Sequence, residues 1–394
     1  MSSVTTLNKF TPAKRIEQVS EYYFSKKLRE IAALNAAGQD IISLGIGGPD
    51  RPPHATVIEA LCSESENPNN HSYQSYVGIP ELRAGLAEWY NKVYGVEVDP
   101  QREILPLIGS KEGILHITMA FINAGDGVLI PNPGYPTYAS VSKLAQAEVF
   151  AYDLCEEGGW MPDFEALEKL PLERIKLMWI NYPNMPTGTN ATRELFERVV
   201  EFARKHSIII INDNPYSLIL NPRPMSIMEV EGAKECCIEL NSLSKSHNMA
   251  GWRLGMLTTN AQFVEWILRV KSNIDSGMFK PLQLAAAEAL KLGDDWNKEL
   301  NGVYASRRVI AAEILEELGC RFDASQVGLF LWGAIPSDEV SAEVLCDRVL
   351  DDARVFITPG FIFGSAGERY VRISLCATEE RMREALERIR ESKK

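Results

Sequence analysis

Ile208-Ile209-Ile210-Ile211 is a run of four consecutive isoleucines. β-Branched side chains are stiff in a helix and pack well on a pleated surface. A strand that is apolar at every position has no face to turn to water. Such strands belong inside a sheet covered on both sides, as parallel or mostly parallel sheets are. The isoleucines lie in a predicted strand at 207–212, and comparable runs recur at 104–108, 127–131, 148–152, 176–181, 236–241 and 253–258. Amphipathic helical stretches lie between them at 112–123, 136–145 and 193–205. Strands alternating with helices predict an α/β fold with a mostly parallel seven-stranded sheet between helices.

The pattern changes after about residue 260. Long amphipathic stretches follow at 261–273, 281–292 and 298–318, then short strands near 329–334, 355–358 and 370–374, and a closing helix at 378–391. This reads as a smaller α+β lobe, to which residues 1–45, with a helix at 16–37, return. The expected division is therefore 46–280 for the large domain, with 1–45 and 281–394 forming the small one.

Composition excludes several function classes. The net charge is −12 with no basic block, which argues against nucleic acid as a partner. No apolar run reaches the length of a membrane span. The seven cysteines form no CxxC pair, and the stretch from Met1 to Arg15 is polar, without the apolar core of a secretory signal. A reducing, cytoplasmic setting is expected, and no metal site.

The chemistry concentrates around Lys245, in Ser242-Leu243-Ser244-Lys245-Ser246, with Arg253 eight positions on. An amine is nucleophilic only when deprotonated, and a pocket that disfavours the ammonium promotes that form. Ser242 and Arg253 supply anion-binding groups beside it. A second anion cradle is Gly109-Ser110-Lys111, where a predicted strand runs into a helix whose first N–H groups and dipole favour phosphate. A reactive amine beside phosphate sites suits a phosphorylated aldehyde cofactor. Such a cofactor needs an acid to keep its ring nitrogen protonated, and Asp213 at a strand end is the candidate, a turn-capping aspartate being the alternative. Tyr135 in a Pro-Gly loop offers a ring platform, or ordinary turn packing. Tyr216, three residues after Asp213, offers a donor to a phenolate oxygen.

In their order along nearly the whole chain, these residues resemble the class I/II pyridoxal-phosphate aminotransferases of fold type I. The resemblance also includes Leu44-Gly45-Ile46-Gly47-Gly48-Pro49-Asp50, Tyr73, Gly78-Ile79-Pro80-Glu81-Leu82-Arg83, Pro186-Thr187-Gly188 and Tyr370-Val371-Arg372-Ile373-Ser374. It implies an enzyme that binds pyridoxal 5′-phosphate and moves an amino group from an L-amino acid to a 2-oxo acid, 2-oxoglutarate being the expected acceptor. It implies Lys245 as the Schiff-base lysine and proton shuttle, Asp213 at the pyridine nitrogen, Tyr135 on the ring and Tyr216 at the phenolate. Gly109, Ser110, Lys111 through its backbone, Ser242 and Arg253 would hold the phosphate. Tyr73 would reach the phosphate of a neighbouring subunit, so a homodimer with shared sites is implied. Arg372 would clamp the substrate carboxylate, helped by Gly47. The run Ser272-Asn273-Ile274-Asp275-Ser276-Gly277-Met278-Phe279 and the Gly109 cradle resemble the branch that contains LL-diaminopimelate aminotransferases.

One position departs from the pattern. Where the family reads Asn-Pro-Thr-Gly, this chain has Met185-Pro186-Thr187-Gly188. Methionine has no N–H to give the phenolate. Losing that donor favours the protonated form of the Lys245–cofactor linkage. Tyr216 is then the expected main phenolate donor, with Asn184 as a substitute contact only through a local shift, since adjacent residues point apart. The same core also supports β-elimination, so a carbon–sulfur lyase is the alternative enzyme. A regulator that binds the cofactor without catalysis is a third reading, disfavoured by the missing helix-turn-helix pattern.

Overall fold

The computed structural model describes residues 10–19, 21 and 23–394. The expectation for the polar stretch before residue 10 therefore lies outside the described residues.

All seven predicted strands form, each within two residues of the expected limits. They are β1 (Ile104–Leu107), β2 (Gly127–Asn132), β3 (Glu148–Asp153), β4 (Ile175–Ile180), β5 (Ile209–Asp213), β6 (Cys237–Ser242) and β7 (Gly255–Thr258). They make one sheet in the order β1-β7-β6-β5-β4-β2-β3. Only the β7 pairings are antiparallel. The isoleucine run explains the placement of β5, which lies at the centre with a neighbour on either side. Ile210 and Ile211 are fully buried on opposite faces, one packing with Tyr90, Phe196 and Val199, the other with Ile114, Trp179 and Ile267.

Four further strands, β8 (Arg321–Phe322), β9 (Phe330–Ala334), β10 (Thr358–Pro359) and β11 (Tyr370–Ser374), form a second sheet in the order β10-β11-β9-β8. All its pairings are antiparallel. Its core is separate in composition, built on Leu300, Ile314, Leu331, Trp332, Val371 and Ile373. Ile42–Ser43 pairs with Val355–Phe356, and Phe24 packs in the same core, so the early residues join this sheet's neighbourhood.

Three helices of twelve residues or more, Ala55–Glu66, Pro80–Tyr94 and Ala342–Ala353, lie where no helix is expected from the sequence. The second carried legible signals, with Pro80 in its first turn and Gly95 closing it in the left-handed region. The expected helix at 16–37 is instead a short turn, Lys14–Glu17, followed by Tyr23–Ala36. The first piece buries no residue, so no packing face carries the helix through Gln18 and Val19.

Candidate active site

The C-terminal ends of β5 and β6, the start of helix Ser110–Phe121 and the second sheet enclose a cleft of about 530 Å³. Gly47, Ser110, Lys111, Tyr135, Asp213, Tyr216, Ser242, Lys245, Arg253 and Arg372 all line it. Ligand sites outside the carboxyl ends of strands are the rule in open α/β sheets.

Lys245 lies in the single turn Leu243–Ser246 that follows β6, and Ser242 caps that turn by accepting from Ser244 N–H at 3.1 Å. The Lys245 Nζ donates to the Gly47 carbonyl at 2.5 Å. Burial is the main cause that lowers its ammonium pKa. Cys376 opposes the shift, and the positive charges of Arg372 and Arg253 add to it. The amine is thus held toward its neutral, nucleophilic form. Gly47 can approach this closely because it lacks a side chain. A Cβ there would lie 2.2 Å from the Phe330 ring.

Asp213 ends β5. Its Oδ2 accepts from the Tyr138 hydroxyl at 2.8 Å, and its buried Oδ1 has no hydrogen-bond partner. Burial raises the carboxyl to about 6, with the Tyr138 hydrogen bond pulling the other way. An unpaired carboxylate oxygen beside a cleft asks for a donor from a ligand. Tyr138 itself is fixed by stacking on Trp179, with ring centroids 4.8 Å apart.

The residues of the expected anion cradle come together. Gly109 has φ 79°, and a Cβ there would lie 2.1 Å from Arg253 Nη2, so glycine is required for both conformation and space. Arg253 is itself in the left-handed region at φ 56°, and its Nη1 donates to the Ala250 carbonyl at 2.9 Å. The guanidinium and the first turn of helix Ser110–Phe121 therefore face one space.

On the far side of the cleft Arg372 stacks on aromatic rings. Its guanidinium carbon is 3.9 Å from the Phe330 centroid, 4.6 Å from that of Phe363 and 5.6 Å from that of Phe24. Nη2 donates to Gly45 O at 2.8 Å and Nη1 lies 3.2 Å from Met185 Sδ. Tyr216 packs edge-on against Phe330, and burial raises its pKa, which keeps the hydroxyl a donor.

Three expected contacts do not line the cleft: Gly109, which sits behind the Arg253 guanidinium, Asn184 and Tyr73. Asn184 is turned away, its Oδ1 accepting from the Thr187 N–H and hydroxyl, because it folds the Pro183–Gly188 loop. Met185 and Asn181 line the wall there instead. Asn181 accepts from Met185 N–H at 2.8 Å and donates to the Asp213 carbonyl, tying the loop to the end of β5. Tyr73 is 90% exposed and does not line the cleft. Sequence reasoning missed Tyr138, Asn181, Ser244, Phe24, Phe330 and Phe363. Tyr138 follows Tyr135 by three positions at a helix start, so shared orientation was a readable signal. The phenylalanines come from distant segments and carry no local signal.

The model of the family "Aminotransferase class I and II" matches residues 39–389. An LL-diaminopimelate aminotransferase of Dehalococcoides mccartyi is 42% identical over 379 residues, covering 96% of this chain and 97% of that one. Another, from Desulforudis audaxviator, is 44% identical and covers 97% of each. Among solved structures, substrate-bound BacF from Bacillus subtilis superposes with a TM-score of 0.92 at 35% identity, covering 97% of this chain and 98% of that one.

Proposed function

Because this chain belongs to the aminotransferase class I and II family, we propose that it transfers an amino group between LL-diaminopimelate and a 2-oxo acid, 2-oxoglutarate. That it is a pyridoxal-phosphate-dependent aminotransferase follows from the family. The donor and acceptor are our reading, supported by the names of its relatives at 42–44% identity across nearly their whole length.

The residues fit the cofactor. The observation that carries the fit is the buried Asp213 Oδ1, unpartnered at the edge of a cleft that also holds a lysine whose ammonium form burial disfavours. A ring N–H would satisfy that oxygen. Ser110, Ser242 and Arg253, with the backbone of Gly109-Ser110-Lys111, would hold the phosphate, and Tyr135 would cover one ring face. Bound pyridoxal phosphate supplies an aldehyde for amines to attack and a protonated ring that withdraws electrons from the substrate α-carbon.

The protein's own groups do the rest. Lys245 Nζ, as a free amine beside the substrate, would take the proton from the substrate Cα and return it elsewhere in the same cleft. Gly47 O orients that nitrogen. Asp213, its Oδ2 held by the Tyr138 hydroxyl, would offer Oδ1 to the ring N–H. Arg372 grips the substrate α-carboxylate as a two-pronged donor, its plane set by Phe330 and Phe363. Tyr216 would donate to the phenolate oxygen, and Met185 would offer no second donor there. Donor and acceptor use one site in turn, so ping-pong kinetics are expected.

The reading extends to a homodimer in which Tyr73 reaches the neighbour's phosphate, and its solvent exposure supports that use. It takes 46–280 as the cofactor domain and 1–45 with 281–394 as the small domain; the different cores of the two sheets support a division, while Ala285, Ala286 and Ala289 of helix Lys280–Ala289 pack in the core of the large sheet. A cytoplasmic location goes with this chemistry, and no described helix is long and apolar enough to cross a membrane. The test is a panel of amino donors against 2-oxoglutarate, followed by the absorbance change of the cofactor. LL-diaminopimelate should convert fastest. Conversion of aspartate or an aromatic amino acid with LL-diaminopimelate inert would overturn the substrate assignment.

A further inference from the structure

Behind Asp213, on the other face of the sheet, lies a second carboxylate with no part in the chemistry above. Glu239 of β6 is fully buried. The β5–β6 register pairs Asn212 with Glu239 and Asp213 with Leu240. Paired residues share a face, so Glu239 points away from the cleft and Asp213 does not. The next residue, Asn214, swings back to the Glu239 side.

Three donors converge on Glu239. Its Oε1 accepts from Asn214 Nδ2 at 2.8 Å. Its Oε2 accepts from the Ser226 hydroxyl at 2.8 Å and from Ile227 N–H at 2.9 Å. The Ser226 proton being committed, the Tyr90 hydroxyl, 2.5 Å from Ser226 Oγ, is the donor in that pair. Asn214 is held on its other sides by Leu240 O, Met225 O and Asn241 Nδ2. These partners of Glu239 are neutral, and burial without a countercharge pushes its carboxyl up to about 7. Tyr90 and Tyr94 from helix Pro80–Tyr94, with Glu229, share this space. A carboxylate is costly here, and a leucine would fill the surrounding apolar core. What an apolar residue could not do is accept from all three donors at once.

We propose that Glu239 is a positioning residue, which grips Asn214 from behind the sheet and so sets the turn Asp213-Asn214-Pro215-Tyr216 that aims Asp213 Oδ1 and the Tyr216 hydroxyl into the cleft. The inference rests on the reading of Asp213 and Tyr216 as ring contacts. Both lie within two residues of Asn214, so a rotation of that one residue redirects the two together. Arg372 and the anion cradle stand on other elements and stay in place.

Glu239→Gln tests this, since its amide group must turn N–H groups against either Asn214 or the Ser226–Ile227 pair. In the cofactor-free protein, hydrogen exchange of the 210–218 peptide should quicken about tenfold or more, the loss of one charge-assisted hydrogen bond. In the cofactor-bound protein, the pH midpoint of the cofactor absorbance should move by about half a unit or more, and kcat should fall with KM for the amino donor little changed. Asn214→Ala removes the grip from its other end, keeps the Ser226 and Ile227 hydrogen bonds, and should give the same two shifts. Ser226→Ala should loosen 226–230 and leave the midpoint where it is. Wild-type exchange and midpoint in both Glu239→Gln and Asn214→Ala would overturn the proposal, as would an equal midpoint shift in Ser226→Ala. Failure of the underlying reading shows separately, as an unchanged cofactor spectrum in Asp213→Asn.

Discussion

Replacing Asp213 by asparagine should stabilise the cofactor-free protein at neutral pH while damaging the enzyme. Asp213 is buried and its carboxyl is raised from 3.8 to about 6, with burial as the first cause. Its native pKa lies above its unfolded value, so the native state holds the proton more tightly. The stability it contributes is fully present below about pH 4 and is lost as pH rises through about 6. Two units correspond to about 3 kcal/mol between those limits. The amide of the Asp213→Asn variant would keep an acceptor for Tyr138 and remove the charge, so the variant should escape that loss. Urea unfolding of both cofactor-free proteins from pH 4 to 7.5 measures it. The variant's stability relative to wild type should rise by about 3 kcal/mol across the range. Saturating pyridoxal phosphate should shrink the difference, because the ionised Asp213 then gains a ring N–H as partner. A difference that does not vary with pH would refute the argument that Asp213 is an unpaired buried acid awaiting a ligand.

The remaining expectations concern separate parts of the cleft. Met185→Asn restores a donor beside the phenolate, so the pH midpoint of the bound cofactor's absorbance should fall; an unchanged midpoint sinks that account. Arg372→Lys loses the two-pronged grip and the stacking on Phe330, so KM for the amino donor should rise about 10- to 100-fold with the cofactor spectrum intact. Gly109→Ala meets both a positive φ and the Arg253 guanidinium. Cofactor affinity, measured by fluorescence quenching, should drop about tenfold or more; wild-type affinity would mean that the cradle is elsewhere.

The fold was legible where side-chain periodicity was unambiguous. The isoleucine run and its companions located every strand of the large sheet, because a strand buried on both faces leaves no alternative pattern. Helix Ala55–Glu66 escaped because it buries only Val57, whereas Ala342–Ala353 buries Leu345, Cys346, Val349 and Leu350 at helical spacing and carried a readable signal. The cleft was readable wherever chemistry demands a residue type at a strand end or helix start, as at Lys245, Asp213 and Ser110. It was unreadable where contacts cross the chain. Phe330, Phe363 and Phe24 meet at Arg372 from segments far apart, and Tyr138 declares itself only through its bond to Asp213. Asn184 shows the limit of the motif itself. Its neighbour faces the cleft, and its own side chain closes the loop.

The account turns on the amine of Lys245. Borohydride reduction of the cofactor-bound enzyme, followed by peptide mapping, reads it directly. The prediction is a pyridoxyl group on Lys245 alone, with Lys245→Ala unlabelled and unable to turn over amino donors. A label on any other lysine, or sustained transamination by Lys245→Ala, would contradict it.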